Sequence, residues 1–157
     1  MNVNYSSQYK SGAVRALVAL HEREMRKFMA VWQRAAEIDL TLPPTEDPSC
    51  KTIDTMLHHV LRASRGYVLW ICDNLNLDKP DIISPSKTMD FKTEALSYLE
   101  SLLDVWSTAL IYVTDDQCYI EFKSRWNTIY CIDGMLEHAV MHPSRHSFQL
   151  VRIMSDL

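Results

Sequence analysis

Glycine is scarce in this chain of 157 residues, which has three, at Gly12, Gly66 and Gly134. Phosphate-binding loops and dinucleotide-binding turns need several glycines close together, because the backbone must approach the phosphate closely. A sandwich or barrel of many short strands would need more turn residues than the chain provides. Low-complexity tracts are absent and 47% of the residues are hydrophobic, which excludes the collagen-like and disordered classes. The composition therefore predicts a mostly helical domain with a substantial core.

Basic residues are outnumbered, since 16 Lys and Arg stand against 20 Asp and Glu for a net charge of -4. Proteins that bind nucleic acid normally carry a basic surplus or stripe, so we expect no nucleic-acid partner. No apolar run approaches the ~20 residues that cross a bilayer. The segment Met1–Lys10 is polar and lacks the layout of a signal peptide. We therefore expect a cytoplasmic protein without membrane association.

Paired cysteines are also missing, because the four cysteines are scattered and form no Cys-x-x-Cys motif. Disulfide frameworks are typical of small secreted domains, which this chain does not resemble. Free cysteine usually packs as a small hydrophobic residue. We interpret the cysteines in this way, and nothing in the sequence around them supports a nucleophile.

Apolar side chains recur at three- and four-residue steps in four segments, which predicts four long amphipathic helices. We expect the second helix to be capped by Ser49 or Thr52, and residues 118–122 to be an extended piece. The predicted helices run from Val14 to before Pro43, from the cap to about Asn74, from Leu96 to Val113, and from Asn127 to Met154 with an interruption at Pro143. Residues 1–157 are thus predicted to form a single all-α domain, a four-helix bundle whose longer connections leave room for a crossover.

Three of the six histidines lie four residues apart, at His138, His142 and His146. Residues spaced by four lie one turn apart on one helix face, so two imidazoles can converge on one ion. At about 100° per residue, a helical wheel places His142 and His146 nearest the apolar stripe and His138 toward solvent. His142 and His146 are therefore the predicted inward pair.

A third histidine ligand would come from another helix. His58 and His59 are the candidates on the second helix, but the wheel does not choose between them, because both lie off its apolar centre. His21 lies on the apolar face of the first helix, and we interpret it as a core histidine that bonds to a neighbour.

The segment 142–150 resembles the closing signature of the DinB-like (YfiT-like) metalloenzyme superfamily. That signature has two histidines four apart, a glutamine three residues later, here Gln149, and then an aliphatic residue, here Leu150. The second helix is similar to the family's earlier motif. His59 is followed by an aliphatic residue, by alanine four on and by an aromatic eight on, at Val60, Ala63 and Tyr67.

Counting from His58 would place a histidine where the family has the aliphatic residue, so the resemblance selects His59. It covers nearly the whole chain and implies a metal site formed by His59, His142 and His146. The chain departs from the family pattern at Ser64, where an acidic residue is common, and at Ser147 and Phe148, where a basic residue and glycine are common.

The resemblance also implies a function. Characterised members of this family bind a low-molecular-weight thiol as its thiolate, as thiol-dependent S-transferases and a mycothiol-dependent isomerase do. We therefore expect a divalent-metal-binding S-transferase, or a hydrolase, that acts on a small-molecule electrophile or thiol and pairs into a homodimer. The alternative is a non-catalytic metal-binding or stress-associated interaction protein that acts as a dimer.

Three neutral imidazoles would leave at least one coordination position of the metal open. A closed structural zinc site has four protein ligands, commonly including cysteine, so this ligand set favours an open site. Zinc or nickel is the expected ion, although iron and manganese also accept imidazole. We expect Tyr67 or Trp70 to line the pocket at the open position. Gln149 is a candidate to orient a ligand, and His138, like Glu137, a candidate to assist proton transfer.

Overall fold

The computed structural model describes residues 8–157, and helices dominate it, as predicted. The part of the N-terminal segment that carries the signal-peptide argument, residues 1–7, lies outside the described residues. The elements in chain order are α1 (Gly12–Glu37), a 3-10 turn (Pro48–Cys50), α2 (Ile53–Leu75), α3 (Ala95–Ala109), α4 (Asp115–Cys118), β1 (Glu121–Lys123), β2 (Ile129–Cys131) and α5 (Ile132–Ser155). Over the described residues, no helix is long and apolar enough to cross a membrane.

The start of α2 is fixed by Thr52, one of the two predicted caps. Its Oγ1 accepts a hydrogen bond from the backbone N–H of Thr55 at 3.1 Å, and the Thr55 Oγ1 accepts one from the Thr52 N–H at 2.9 Å. These reciprocal bonds satisfy N–H groups that have no partner within the helix. The prediction of Thr52 as a cap is confirmed, and the helix begins at Ile53, six residues before His59.

The predicted start of the last helix at Asn127 is wrong. Asn127 has a positive φ of 69° and lies in the turn of a β-hairpin, in which β2 pairs antiparallel with β1, Phe122 opposite Tyr130. Helix α5 begins only at Ile132, because the Sγ of Cys131 accepts the N–H of Gly134 and caps it. The extended piece predicted at residues 118–122 is right only in part, since Cys118 belongs to α4.

Helix α5 continues through Pro143, where an interruption was predicted. Proline has no N–H, so the helix loses the hydrogen bond to the carbonyl of Ala139. One turn later the hydroxyl of Ser147 donates to the carbonyl of Pro143 at 3.0 Å. The histidines on either side of Pro143 therefore stay on one continuous helix.

Contacts between the long helices fix their directions. His21 of α1 contacts Ser64 of α2, and Trp32 further along α1 reaches the carbonyl of Ile53, so α1 and α2 are antiparallel. Arg26 pairs with Glu100 of α3 while Tyr9, before α1, reaches the carbonyl of Ser107, so α1 and α3 are also antiparallel. It follows that α2 and α3 run in the same direction.

The connection from α2 to α3 must therefore return along the molecule. The carbonyl of Ile82 accepts the Nε–H of Arg65 at 2.7 Å, and the carbonyl of Pro85 lies 3.1 Å from Nε2 of His58. Its residues thus pass α2 in reverse order. The core between the helices is apolar, and the largest fully buried side chains include Trp106, Phe28, Met25 and Met56.

Candidate metal centre

Three histidines from two helices converge at one point. Nε2 of His59 on α2 lies 2.9 Å from Nε2 of His142 on α5. The ring of His146 lies 5.5 Å from that of His59 and 4.9 Å from that of His142, between centroids. One ligand nitrogen of each ring lies within 4.8 Å of the others. The structure thus brings together the three residues that the sequence analysis selected.

The convergence follows from helix geometry. His142 and His146 lie one turn apart on α5, so their rings point to the same side. Helix α2 runs antiparallel to α5, as the contacts of His59 with His142 and of Tyr67 with His138 show. Phe28 of α1 meets the ring of His146 edge-on at 6.5 Å and separates the site from the apolar core.

Gln149 determines which nitrogen of His146 is free. Its Oε1 lies 3.2 Å from Nδ1 of His146, so it accepts the Nδ1–H of that ring. The neutral imidazole then carries its lone pair on Nε2, the ring nitrogen that is buried without a hydrogen-bond partner among residues 8–157. This is the orienting position that the sequence analysis assigned to Gln149.

Burial keeps these imidazoles neutral. His142 and His146 are 6% and 4% exposed. Loss of hydration lowers the pKa of His142 to about 2 and also lowers the pKa of His59 and His146. The nearby guanidinium of Arg145 adds to all three shifts. Neutral imidazole is the form that binds metal ions.

The donor set fits a divalent cation. Nε2 of His146 is buried and has no hydrogen-bond partner among residues 8–157, which is costly unless a ligand takes its lone pair. Nδ1 of His142 is also buried without a partner in the described part of the chain, whereas Nδ1 of His146 is bonded to Gln149. Three uncharged nitrogens with one open side are typical of catalytic zinc and of nickel or iron sites.

The chain matches no family model, no curated protein and no solved structure.

A cavity of about 660 Å³ opens directly onto the three histidines. Both aromatic residues expected at the pocket, Tyr67 and Trp70, line it, and Trp126 of the hairpin turn faces them. The ring of Tyr67 meets that of Trp126 edge-on at 6.3 Å. Burial raises the pKa of Tyr67 to about 12, so its hydroxyl stays protonated. The cavity has room for a small organic molecule next to the histidines.

The other histidines lie apart from this cluster or behind it. His58 points away from His59, with its Nε2 near the carbonyl of Pro85 and its ring edge-on to Phe91. His21 is 1% exposed, and its Nε2 lies 2.9 Å from the hydroxyl of Ser64. The interpretation of His21 as a core histidine that bonds to a neighbour is confirmed.

His138 is less exposed than the wheel predicted. The hairpin covers it, because Trp126 and Tyr130 each approach its ring with centroids 5.6 Å away. His138 lines the cavity, whereas Glu137 is exposed and lies outside the cavity lining. The position of His138 fits contact with a bound molecule, and that of Glu137 does not.

Sequence reasoning missed the charged side chains of the cavity. These residues lie on α2, on α5, in the hairpin turn and in the loop before α2. No pattern within one segment of the sequence therefore predicts that they meet. They are Asp47, Arg62, Arg65, Arg125 and Arg145.

Proposed function

We propose that this protein is a divalent-metal-dependent enzyme that acts on a small molecule bound next to His59, His142 and His146. The observation that carries the proposal is the buried Nε2 of His146. Gln149 leaves it unprotonated, it has no partner among the described residues, and it faces two further imidazoles at the wall of a cavity. Zinc or nickel is the ion that we propose for this site.

We also propose that the fold is a four-helix bundle of the DinB-like type with a crossover connection. In support, the long helices α1, α2, α3 and α5 surround one core, and α2 and α3 run in the same direction. The connection between them returns along α2. In this arrangement α1 and α5 are also parallel, since each is antiparallel to α2.

A bound divalent ion would supply a Lewis acid that favours the ionised form of a thiol or of water near neutral pH. The chain's own residues contribute the rest. Tyr67 lines the cavity and its hydroxyl stays protonated, so it can donate a hydrogen bond to a substrate there. The rings of Tyr67, Trp70 and Trp126 exclude water from the cavity wall.

Metal analysis of protein purified without an affinity tag tests the proposal. We expect stoichiometric zinc or nickel in the wild type and in His58→Ala, which removes the histidine next to His59 but leaves the cluster intact. His142→Ala should lose the metal. A wild type without stoichiometric metal, or with metal that His142→Ala retains, would contradict the proposed site.

The reaction type needs a second assay. We propose S-transfer from a low-molecular-weight thiol, tested with monochlorobimane and bacillithiol, mycothiol or glutathione. Turnover that the wild type and His58→Ala share, and His142→Ala lacks, is the expected result. Metal-dependent hydrolysis of an activated ester without thiol transfer would instead support the hydrolase.

A non-catalytic role is the second candidate, favoured by one surface. Met141 and Phe148 lie on the outward face of α5 and are 61% and 68% exposed. Large exposed apolar side chains on one helix face suit a protein interface. A stoichiometric metal to which neither thiol nor water binds would favour this role over catalysis. So would a dimer in solution that the substitution Phe148→Ser dissociates.

A further inference from the structure

Four arginines line the cavity in front of the histidines. Arg62 and Arg65 come from α2, Arg125 from the hairpin turn and Arg145 from α5. Three separate elements thus contribute arginines to the lining of one cavity. Arginine presents a planar fork of N–H donors that matches carboxylate and phosphate groups.

None of the four arginines is neutralised by a carboxylate within the described residues. The ion pairs there involve other cations, namely Arg23, Arg26 and Lys79. Arg65 is held in place by a neutral partner, because its Nε–H donates to the carbonyl of Ile82 at 2.7 Å. Its terminal nitrogens keep their charge and their capacity to donate.

A single carboxylate, that of Asp47, lines the same cavity. Its Oδ1 already accepts the N–H of Ser49 at 2.9 Å and the hydroxyl of Ser49 at 2.6 Å. One acid against four guanidinium groups leaves the cavity strongly positive, although the whole chain has a net charge of -4. The positive charge is therefore local to the cavity, where it would attract anions.

Arg125 lies next to Gly66 in the cavity lining. A methyl group at position 66 would lie 4.0 Å from Nη1 of Arg125, an ordinary van der Waals contact, whereas a larger side chain would compete with this guanidinium for space. Trp126 follows Arg125 in the chain and forms part of the aromatic wall. The hairpin turn thus contributes one cation and one aromatic ring to the same space.

We propose that the cavity selects a small organic dianion, whose carboxylate or phosphate groups bind Arg62, Arg65, Arg125 and Arg145 while its carbon frame packs on Tyr67, Trp70 and Trp126. This inference rests on the proposed function for the reaction, in which the reacting atom of the dianion faces the three histidines. A neutral analogue of the same shape would leave the guanidinium groups without partners and bind weakly.

Isothermal titration at pH 8 and low ionic strength tests the selection. The probes are phthalate as an aromatic dicarboxylate, phenyl phosphate as a phosphate dianion and benzamide as a neutral ring. We expect at least one of the two dianions to bind, with an affinity that falls as NaCl is raised, and benzamide to bind at least tenfold more weakly. The tighter dianion identifies carboxylate or phosphate as the preferred group.

The arginines are tested one at a time. We expect Arg125→Gln and Arg145→Gln to weaken binding of the tighter dianion about tenfold each, because each removes a charge-assisted hydrogen bond. The matched control is Arg152→Gln, which removes the same charge from α5 outside the cavity lining and should bind within about twofold of the wild type. Binding of neither dianion, equal binding of benzamide, or cavity variants that bind like the control would overturn the inference.

Each titration is done on protein as purified and after dialysis against EDTA, with the metal content of both samples measured. Dianion binding that depends on the arginines in protein without metal supports the inference even if the metal site fails. If the protein contains stoichiometric metal but the arginine variants bind the dianion as tightly as the wild type, the inference is overturned and the proposed function stands.

Discussion

At the scale of single residues, the hydrogen bond between Gln149 and His146 is the part of the site most open to test. A metal-binding histidine is usually held by a hydrogen bond on its other ring nitrogen, which fixes the tautomer and the ring orientation. Gln149 supplies this bond from the next turn of the same helix. Nδ1 of His142 has no such bond within the described residues, so the orientation of His146 by Gln149 is the one that a substitution can test.

We predict that Gln149→Leu lowers zinc affinity about 10- to 100-fold, because His146 loses the acceptor that keeps Nε2 unprotonated. Gln149→Glu, which keeps an acceptor oxygen, is the matched control and should remain close to the wild type. Competition with a chromophoric chelator measures both affinities. A leucine variant as tight as the control would show that Gln149 has no such role.

His21 is a second residue whose environment has a measurable consequence. Its ring lies 4.0 Å from that of Trp106, and Ser64 accepts the indole N–H of Trp106 at 3.0 Å. Ser64 stands where the resembled family often has an acid, so His21 has no carboxylate at this position. Burial without a counter-ion lowers the pKa of His21 to about 3.

We predict that His21 makes folding sensitive to acid. Its folded pKa lies below the unfolded value of about 6.5, so the unfolded state binds a proton first as the pH falls. Stability is complete above pH 6.5 and declines toward pH 3, with a loss from this group of about 2 kcal/mol between pH 7 and pH 5. Urea unfolding at both pH values in EDTA should show a smaller loss for His21→Gln, and an unchanged loss would contradict the assignment.

At the scale of elements, α2 carries His59 and begins at a well-defined cap. The capping box of Thr52 and Thr55 ends the loop and fixes the first turn of the helix. His59 follows on the same helix, so its position depends on α2 as a whole more than on any one cap bond. The cap should therefore affect stability and leave metal binding almost unchanged.

We predict that Thr52→Ala lowers the free energy of unfolding by about 1 kcal/mol, since it removes one of the two cap bonds. The control is Ser101→Ala, because Ser101 is exposed on α3 and its hydroxyl only donates to the carbonyl of Ser97, so its loss should change stability by less than about 0.5 kcal/mol. Urea unfolding followed by circular dichroism measures both. Equal stability of the two variants would mean that the cap contributes nothing.

The hairpin is the element that gives the cavity its outer wall. The indole N–H of Trp70 on α2 donates to the carbonyl of Lys123 at 3.2 Å, and the ring of Phe122 meets that of Trp70 edge-on at 6.1 Å. These contacts attach the hairpin to α2 and bring Arg125 and Trp126 over the histidines. Two strands of three residues each thus complete a site built mainly by helices.

At the scale of the whole molecule, a metal ion would connect helices that are distant in the chain. His59 and His142 are 83 residues apart in sequence. An ion that binds the folded state but not the unfolded chain stabilises the fold by mass action. The metal would therefore act on the stability of the entire protein.

We predict that zinc at about 100 times its dissociation constant raises the melting temperature by roughly 5–10 °C over protein in EDTA. His146→Ala should melt at the same temperature with and without zinc, while His58→Ala should keep the full increase. Differential scanning fluorimetry of the three proteins gives the comparison. An increase that His146→Ala retains would place the ion elsewhere.

The sequence predicted those parts of the molecule that depend on local spacing. The four-residue step between His142 and His146 lies within one helix, and the wheel placed both rings inward without any knowledge of the fold. The cap at Thr52 is equally local. The choice of His59 over His58 came from the family resemblance, because the wheel alone left both open.

The arginines and the hairpin could not be predicted in this way. Arg125 reaches the cavity because the hairpin folds against α2, and Arg145 because α5 packs beside α2, which are tertiary arrangements without a local pattern. The strands at 121–123 and 129–131 are too short to show alternation, so the sequence predicts only an extended piece at 118–122 and includes 129–131 in the last helix. His138 was placed in solvent for the same reason, since the hairpin that covers it was missed.

The distance in sequence between the two halves of the site also bears on the order of folding. Local helical turns form early, whereas a contact between residues 59 and 142 requires closure of a loop of about half the chain. The metal site can therefore exist only after α2 and α5 have met. A cobalt ion, whose visible absorption depends on its ligands, would then report the time at which these two helices dock.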